Sequence, residues 1–249
     1  MNAWPVVLVH GTRTSATQWD RQLPSLRAAG HTSHAIDLPG HGTRRAEPFE
    51  LDTAIEAIAA AVREAAPQRV HLIGSSLGGM LAIHAAARGI DHLGSLTVCG
   101  GAVQPGRASA RLYGRMIELT DHLPGISAEG RGPLLTWILG PEGARAYLRG
   151  GRADASVVRP TMEALASLDL LDDLRLIRVP VTFLHGRYDQ LRMQEIEFTA
   201  AAPRGRLEVL PYGNHMVNLN RPHRFNADLL RVLARAERDR GGREEGLGP

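Results

Sequence analysis

The strongest chemical signal in the chain is Gly74-Ser75-Ser76-Leu77-Gly78-Gly79, set between the apolar run Val70–Ile73 and an Ala-rich stretch. A serine hydroxyl is a weak nucleophile until a base takes its proton in the transition state. A tight strand-to-helix turn projects that hydroxyl into the open, and the turn requires residues without bulk on either side of the serine. Gly74 and Gly78 flank Ser76 at that spacing, whereas Ser75 lacks glycines at both flanking positions. The helix that starts after such a turn aims backbone N–H groups and partial positive charge at a developing oxyanion. Ser76 is therefore the candidate nucleophile. A Gly/Ser-rich loop that only caps a helix would carry the same letters; the strand before and the helix after separate the two readings.

Such a turn needs a framework of alternating strands and helices, and the chain supplies one. Apolar runs at 6–9, 34–38, 69–73, 93–98, 179–184 and 207–210 read as strands. Helical patterns at 18–29, 51–66, 77–88, 194–201 and 222–238 separate them. Nearly continuous apolar strands between helices predict an α/β domain, with a mostly parallel central sheet covered on both faces. Residues 104–177 break the rhythm, with helical segments near 108–122, 131–139, 142–149 and 156–174 and no strand. The expectation is one core domain built from 1–103 and 178–238, a helical lid inserted over 104–177, and a disordered tail at 239–249.

Four further motifs occur in a telling order. They are Val7-Leu8-Val9-His10-Gly11-Thr12, Asp37-Leu38-Pro39-Gly40-His41-Gly42, His185-Gly186-Arg187-Tyr188-Asp189 and Gly213-Asn214-His215. With the serine turn, they make residues 5–103 and 178–237 resemble the α/β-hydrolase superfamily. The resemblance implies an α/β-hydrolase fold, an acid at Asp189, a base at His215, and the chain order serine, acid, histidine. It also implies an oxyanion hole made by the backbone N–H groups of Thr12 and Leu77. His215 would take the Ser76 proton, and an ionised Asp189 would fix the imidazole tautomer. Some members place the acid one strand earlier, but Val98-Cys99-Gly100-Gly101-Ala102 offers no carboxylate there. Asp169, Asp172 and Asp173 read as solvent-facing or capping residues. Asp189 as a plain turn residue, and His215 as a loop histidine bonded to backbone, remain the alternatives. His10 is expected to brace the oxyanion loop and His41 to order the Asp37 loop.

The substrate is read less sharply. Arg13 could meet polar substrate groups, and Tyr113, Met116 and Trp137 in the insertion could line a partly apolar pocket. The leading reaction is hydrolysis of the carboxylic ester of a medium-sized small molecule through an acyl-enzyme on Ser76. Lactone, thioester or C–C bond hydrolysis, a cofactor-free peroxidase or lyase-like activity, and a slow-turnover binding protein share these motifs. Ser76 stands where epoxide and haloalkane hydrolases of this fold carry an aspartate, which counts against both. No cofactor or metal is expected: His31, His34, His71, His84, His92, His122, His185 and His223 show no ligand spacing. The 249 residues are 43% hydrophobic and 22% charged, as a globular chain should be. The net charge of +3 comes from scattered arginines, which gives nucleic-acid binding no support. One cysteine, Cys99, precludes an intramolecular disulfide. The N-terminus reads as a first strand rather than a signal peptide, and no apolar run reaches the roughly 18–20 residues of a membrane span. The expectation is a cytoplasmic protein with no membrane association.

Overall fold

The apolar runs become the strands of a single sheet in the computed structural model, which describes residues 3–106, 115 and 133–244. The strands are β1 (Val6–Val9), β2 (Ser33–Ile36), β3 (Val70–Ser75), β4 (Leu93–Cys99), β5 (Val181–Tyr188) and β6 (Gly205–Asn214). They lie in the order β2-β1-β3-β4-β5-β6, and every pairing is parallel. Alternate residues of one strand feed opposite cores. Val7 and Val9 face a core shared with Leu72, Leu96, Val98 and Phe183. Val6 and Leu8 face a second core with Ile73, Cys99 and Leu184. Since both faces are covered, the inner strands β3 and β4 are buried along their whole length, which is why their sequences read as apolar runs.

The helices are α1 (Leu23–Ala28), α2 (Leu51–Glu64), α3 (Leu77–Ala87), α4 (Pro133–Arg149), α5 (Val158–Ala166), α6 (Leu170–Leu176), α7 (Glu195–Ala201), α8 (Val217–Asn220) and α9 (Pro222–Glu244). α3 is apolar on every side, burying Leu77, Met80, Leu81, Ile83 and Ala85 among others, because it lies under the sheet and against α2 and α6. Trp19, Leu26, Phe225, Leu229 and Leu233 close the other face.

The helices depart from the sequence pattern at their ends. The helix expected over 18–29 is a 3-10 turn, Ala16–Trp19, followed by α1, because Pro24 suits a helix start and not an interior. The last helix continues past 238 to Glu244, into the stretch whose composition suggested disorder. The described part of the insertion is helical over 133–149, 155–166 and 170–176, and its segment 108–122 lies outside the described residues apart from position 115. α4 breaks at Gly140, whose φ of 73° and ψ of 165° are not helical, just before Pro141. Val158, Met162, Leu165, Leu170 and Leu174 join the sheet's own core, so α5 and α6 are packed as framework.

Candidate active site

Ser76 sits between β3 and α3 with φ 52° and ψ −118°. A non-glycine residue adopts that conformation only under constraint, at a cost on the order of 1–3 kcal/mol. The constraint is visible in the flanking glycines. A Cβ on Gly78 would lie 2.5 Å from the His10 carbonyl oxygen, and one on Gly74 would strike the Gly78 carbonyl. The turn is fastened by the Ser76 N–H, which donates to the Cys99 carbonyl at 2.8 Å.

His10 and Gln18 set the neighbouring loop. The Leu38 N–H donates to His10 Nε2 at 3.1 Å, so the ring proton is on Nδ1, which donates to the Gly11 carbonyl at 2.7 Å. Burial, with His41 close by, pushes the His10 pKa down to about 3, and the ring is neutral. Because the Gly11–Thr12 peptide is planar and trans, a carbonyl turned towards His10 turns the Thr12 N–H the opposite way. Gln18 Oε1 accepts the Gly11 N–H at 2.8 Å, while its amide donates to Ser75 Oγ at 2.9 Å. Gln18 thus ties this loop to the serine turn. Among the described residues, no acceptor meets the Thr12 or Leu77 N–H. Both are donors available to an oxyanion.

Asp189 and His215 come from the ends of β5 and β6. His215 Nδ1 lies 2.9 Å from Asp189 Oδ1, which also accepts the Leu191 N–H at 2.8 Å. Burial alone would raise the Asp189 pKa; His215 and the Leu191 N–H hold it well below the usual carboxylate range. The pair packs on Gly100, where a Cβ would stand 2.7 Å from the His215 ring and 2.9 Å from Asp189 Oδ2. The next residue, Gly101, approaches the Ser76 carbonyl, so consecutive glycines at the end of β4 bring the three residues together. Gly100 is itself held by its N–H, which donates to the buried His185 Nδ1 at 3.2 Å. Among the described residues, neither Ser76 Oγ nor His215 Nε2 makes a hydrogen bond, and a catalytic bond of this kind commonly closes only with substrate in place.

The Asp37 carboxylate accepts the Ala16 N–H at 2.7 Å and the N–H and hydroxyl of Thr43 at 2.8 Å each. Burial would raise its pKa, but these donors keep it lowered. His41 donates through Nδ1 to the Pro39 carbonyl at 2.9 Å, and burial lowers its pKa. His41 orders the Asp37 loop, as the sequence suggested, and the Asp37 carboxylate ties that loop to Ala16. Arg13 is buried, and its Nε donates to the Ala153 carbonyl at 3.1 Å, linking the oxyanion loop to the insertion. Trp137 is 82% exposed on the first half of α4, in solvent rather than against a pocket wall. Tyr113 and Met116 lie outside the described residues. Gln18, Gly100 and His185 were missed as site residues, since their roles arise from contacts between remote segments and leave no spacing signal. Side chains of metal-ligand type converge elsewhere, at the far end of the sheet.

The profile of the alpha/beta hydrolase family matches residues 6–228. The chain belongs to the alpha/beta hydrolase family. Among its relatives, pimeloyl-acyl-carrier-protein methyl ester esterase from Methylococcus capsulatus is 32% identical over 198 residues, 75% of this chain and 76% of that protein. The enzyme of the same name from Klebsiella pneumoniae is 34% identical over 206 residues, 77% of each chain. A crystal structure from work on carboxylesterases of Nitrososphaera gargenis superposes with a TM-score of 0.78 and 18% identity, covering 95% of this hydrolase and 92% of that chain. That likeness speaks for the fold alone.

Proposed function

We propose that this hydrolase cleaves carboxylic esters through an acyl-enzyme on Ser76. The supporting observation is the strained Ser76 set beside an Asp189–His215 pair, all three held by Gly100 and Gly101. In this reading Ser76 Oγ attacks the ester carbonyl as its proton passes to His215 Nε2. The oxygen that gains charge is met by the Thr12 and Leu77 N–H groups, each worth about 2.7–4 kcal/mol in the transition state. The imidazolium, steadied by ionised Asp189, then gives its proton to the departing alcohol. Water, deprotonated by His215, attacks the acyl group and frees Ser76.

The names of the relatives make the methyl ester of a carrier-linked pimeloyl group the substrate to try first. Arg13 directly follows Thr12, and its bond to Ala153 makes it a wall rather than a free arm. Trp137 reaches an acyl chain only by a swing of the first half of α4 about Gly140.

A fluorophosphonate probe should label the protein at Ser76 and abolish hydrolysis of monomethyl dicarboxylates of graded length. Ser76→Ala should lose both labelling and turnover. A Ser76→Ala enzyme that still turns over these esters would remove the proposal. Faster turnover of matched lactones or thioesters would keep Ser76 and replace the substrate class.

A further inference from the structure

The amino ends of the strands, opposite the serine turn, gather another set of chemically capable side chains. His71 lies near the start of β3, where its N–H donates to the Pro5 carbonyl. His31 precedes β2, and Glu237 projects from α9. One potential ligand atom from each falls within 4.8 Å of the other two, the one such group of three among the described residues. At a rise of about 3.3 Å per residue along β3, the group stands on the order of 15 Å from Ser76, beyond reach of the ester chemistry.

Its hydrogen bonding is rich in acceptors and poor in protons. His31 Nδ1 donates to the Trp4 carbonyl at 2.7 Å, and in the neutral ring this leaves a lone pair on Nε2. His71 Nδ1 is bonded to Ser95 Oγ at 2.6 Å, and its Nε2 lies 3.3 Å from Glu237 Oε1. Burial lowers the His71 pKa, and His71 has no solvent exposure. A single proton on His71 Nε2 can satisfy the carboxylate or His31, not both. A cation satisfies all three.

We propose that His31 Nε2, His71 Nε2 and a Glu237 carboxylate oxygen form a zinc site, completed by a water. Zinc takes imidazole and carboxylate ligands in a tetrahedron at about 2.0–2.2 Å, so its ligand atoms stand about 3.4 Å apart. The His71–Glu237 separation of 3.3 Å already meets that spacing. No separation in the set exceeds 4.8 Å, so the ligand atoms have at most about 1.4 Å to close around the ion. The outer shell is built: Ser95 Oγ and the Trp4 carbonyl orient the two rings, and the Trp4 N–H holds Glu237 Oε1 at 2.9 Å. The ion clamps the turn before β2, the start of β3 and the last helix, which are remote in sequence. Its role is structural.

Untagged protein, stripped with EDTA and desalted, is titrated with zinc chloride. One equivalent should co-elute on gel filtration, and Tm should rise by roughly 5–10 °C when free zinc is a hundred times Kd. Glu237→Gln keeps an acceptor for the Trp4 N–H, and His31→Gln keeps a donor for the Trp4 carbonyl; each should lose the bound zinc and the shift. His84→Gln, at a histidine bonded to Asp173 far from the group, should keep both. Wild-type protein that retains no zinc, or either ligand variant that binds it as wild type does, overturns the site.

Discussion

Asp189 Oδ1 is shared between the His215 ring and the Leu191 N–H, so its orientation is fixed before any substrate arrives. An asparagine there can present its amide nitrogen to Nδ1 and force the wrong imidazole tautomer. Asp189→Asn should therefore lower kcat/KM by about 10⁴-fold with little loss of structure, as circular dichroism would verify. Gln18 makes a different demand. Gln18→Leu leaves the Gly11 N–H and Ser75 Oγ buried without their partner, each at a cost of about 1–3 kcal/mol. Urea denaturation should show that loss, and kcat should fall while KM changes little, because the oxyanion loop is no longer tied to the serine turn. A Gln18→Leu enzyme with wild-type kcat would show that the tie is structural only. Ser76, Asp189 and His215 stood out as candidates in the sequence because each follows an apolar strand and has glycine or a known motif beside it. Gln18 sits in a 3-10 turn that the sequence suggested was ordinary helix, and only the folded chain sets its amide between Gly11 and Ser75.

At the scale of elements, the strand–helix alternation was readable because parallel strands buried on both faces leave unbroken apolar runs. The insertion was harder, since amphipathic spacing reveals a helix but not the surface it covers. The structure divides α4 at Gly140. Its second half is fastened to the oxyanion loop: Thr17 Oγ1 donates to the Ala146 carbonyl at 2.6 Å and accepts the Gly150 N–H at 3.2 Å. The Ala153 N–H donates to the Arg13 carbonyl at 3.1 Å. A Cβ on Gly143 would stand 2.7 Å from the Leu219 carbonyl, so this half also lies tightly over α8, just beyond His215. The first half instead exposes Leu134, Trp137 and Ile138. Hydrogen exchange should accordingly be slower across 142–153 than across 134–139. Thr17→Val removes the hydroxyl and should shrink that difference; equal exchange in both halves of the wild type would show that the clasp does not restrain α4. An opening lid must move about Gly140 rather than about residues 142–153.

Taken whole, the molecule keeps its charged and neutral buried groups on different parts of the pH scale. Asp37, Asp189 and Glu237 all have lowered pKa values, held by N–H donors or histidine partners against the pull of burial. A depressed carboxylate adds stability above its unfolded pKa near 4 and loses it only as pH falls through the folded value, so none of the three acts between pH 7 and 5. His10, His41 and His71 are lowered by burial and behave differently. Below the unfolded value of about 6.5 the unfolded chain binds protons that these folded rings refuse, and stability declines as pH falls. For His10, with its folded pKa of about 3, the loss between pH 7 and pH 5 is about 2 kcal/mol. His41 and His71 add to it in the same direction. Urea unfolding in EDTA at pH 7 and pH 5 should show a lower midpoint at pH 5 with an unchanged m-value. A midpoint that holds steady to pH 5 would mean that these rings take up protons in the fold as readily as in the unfolded chain, which at pH 5 would also undo the His10 tautomer that accepts the Leu38 N–H and orients the Gly11–Thr12 peptide.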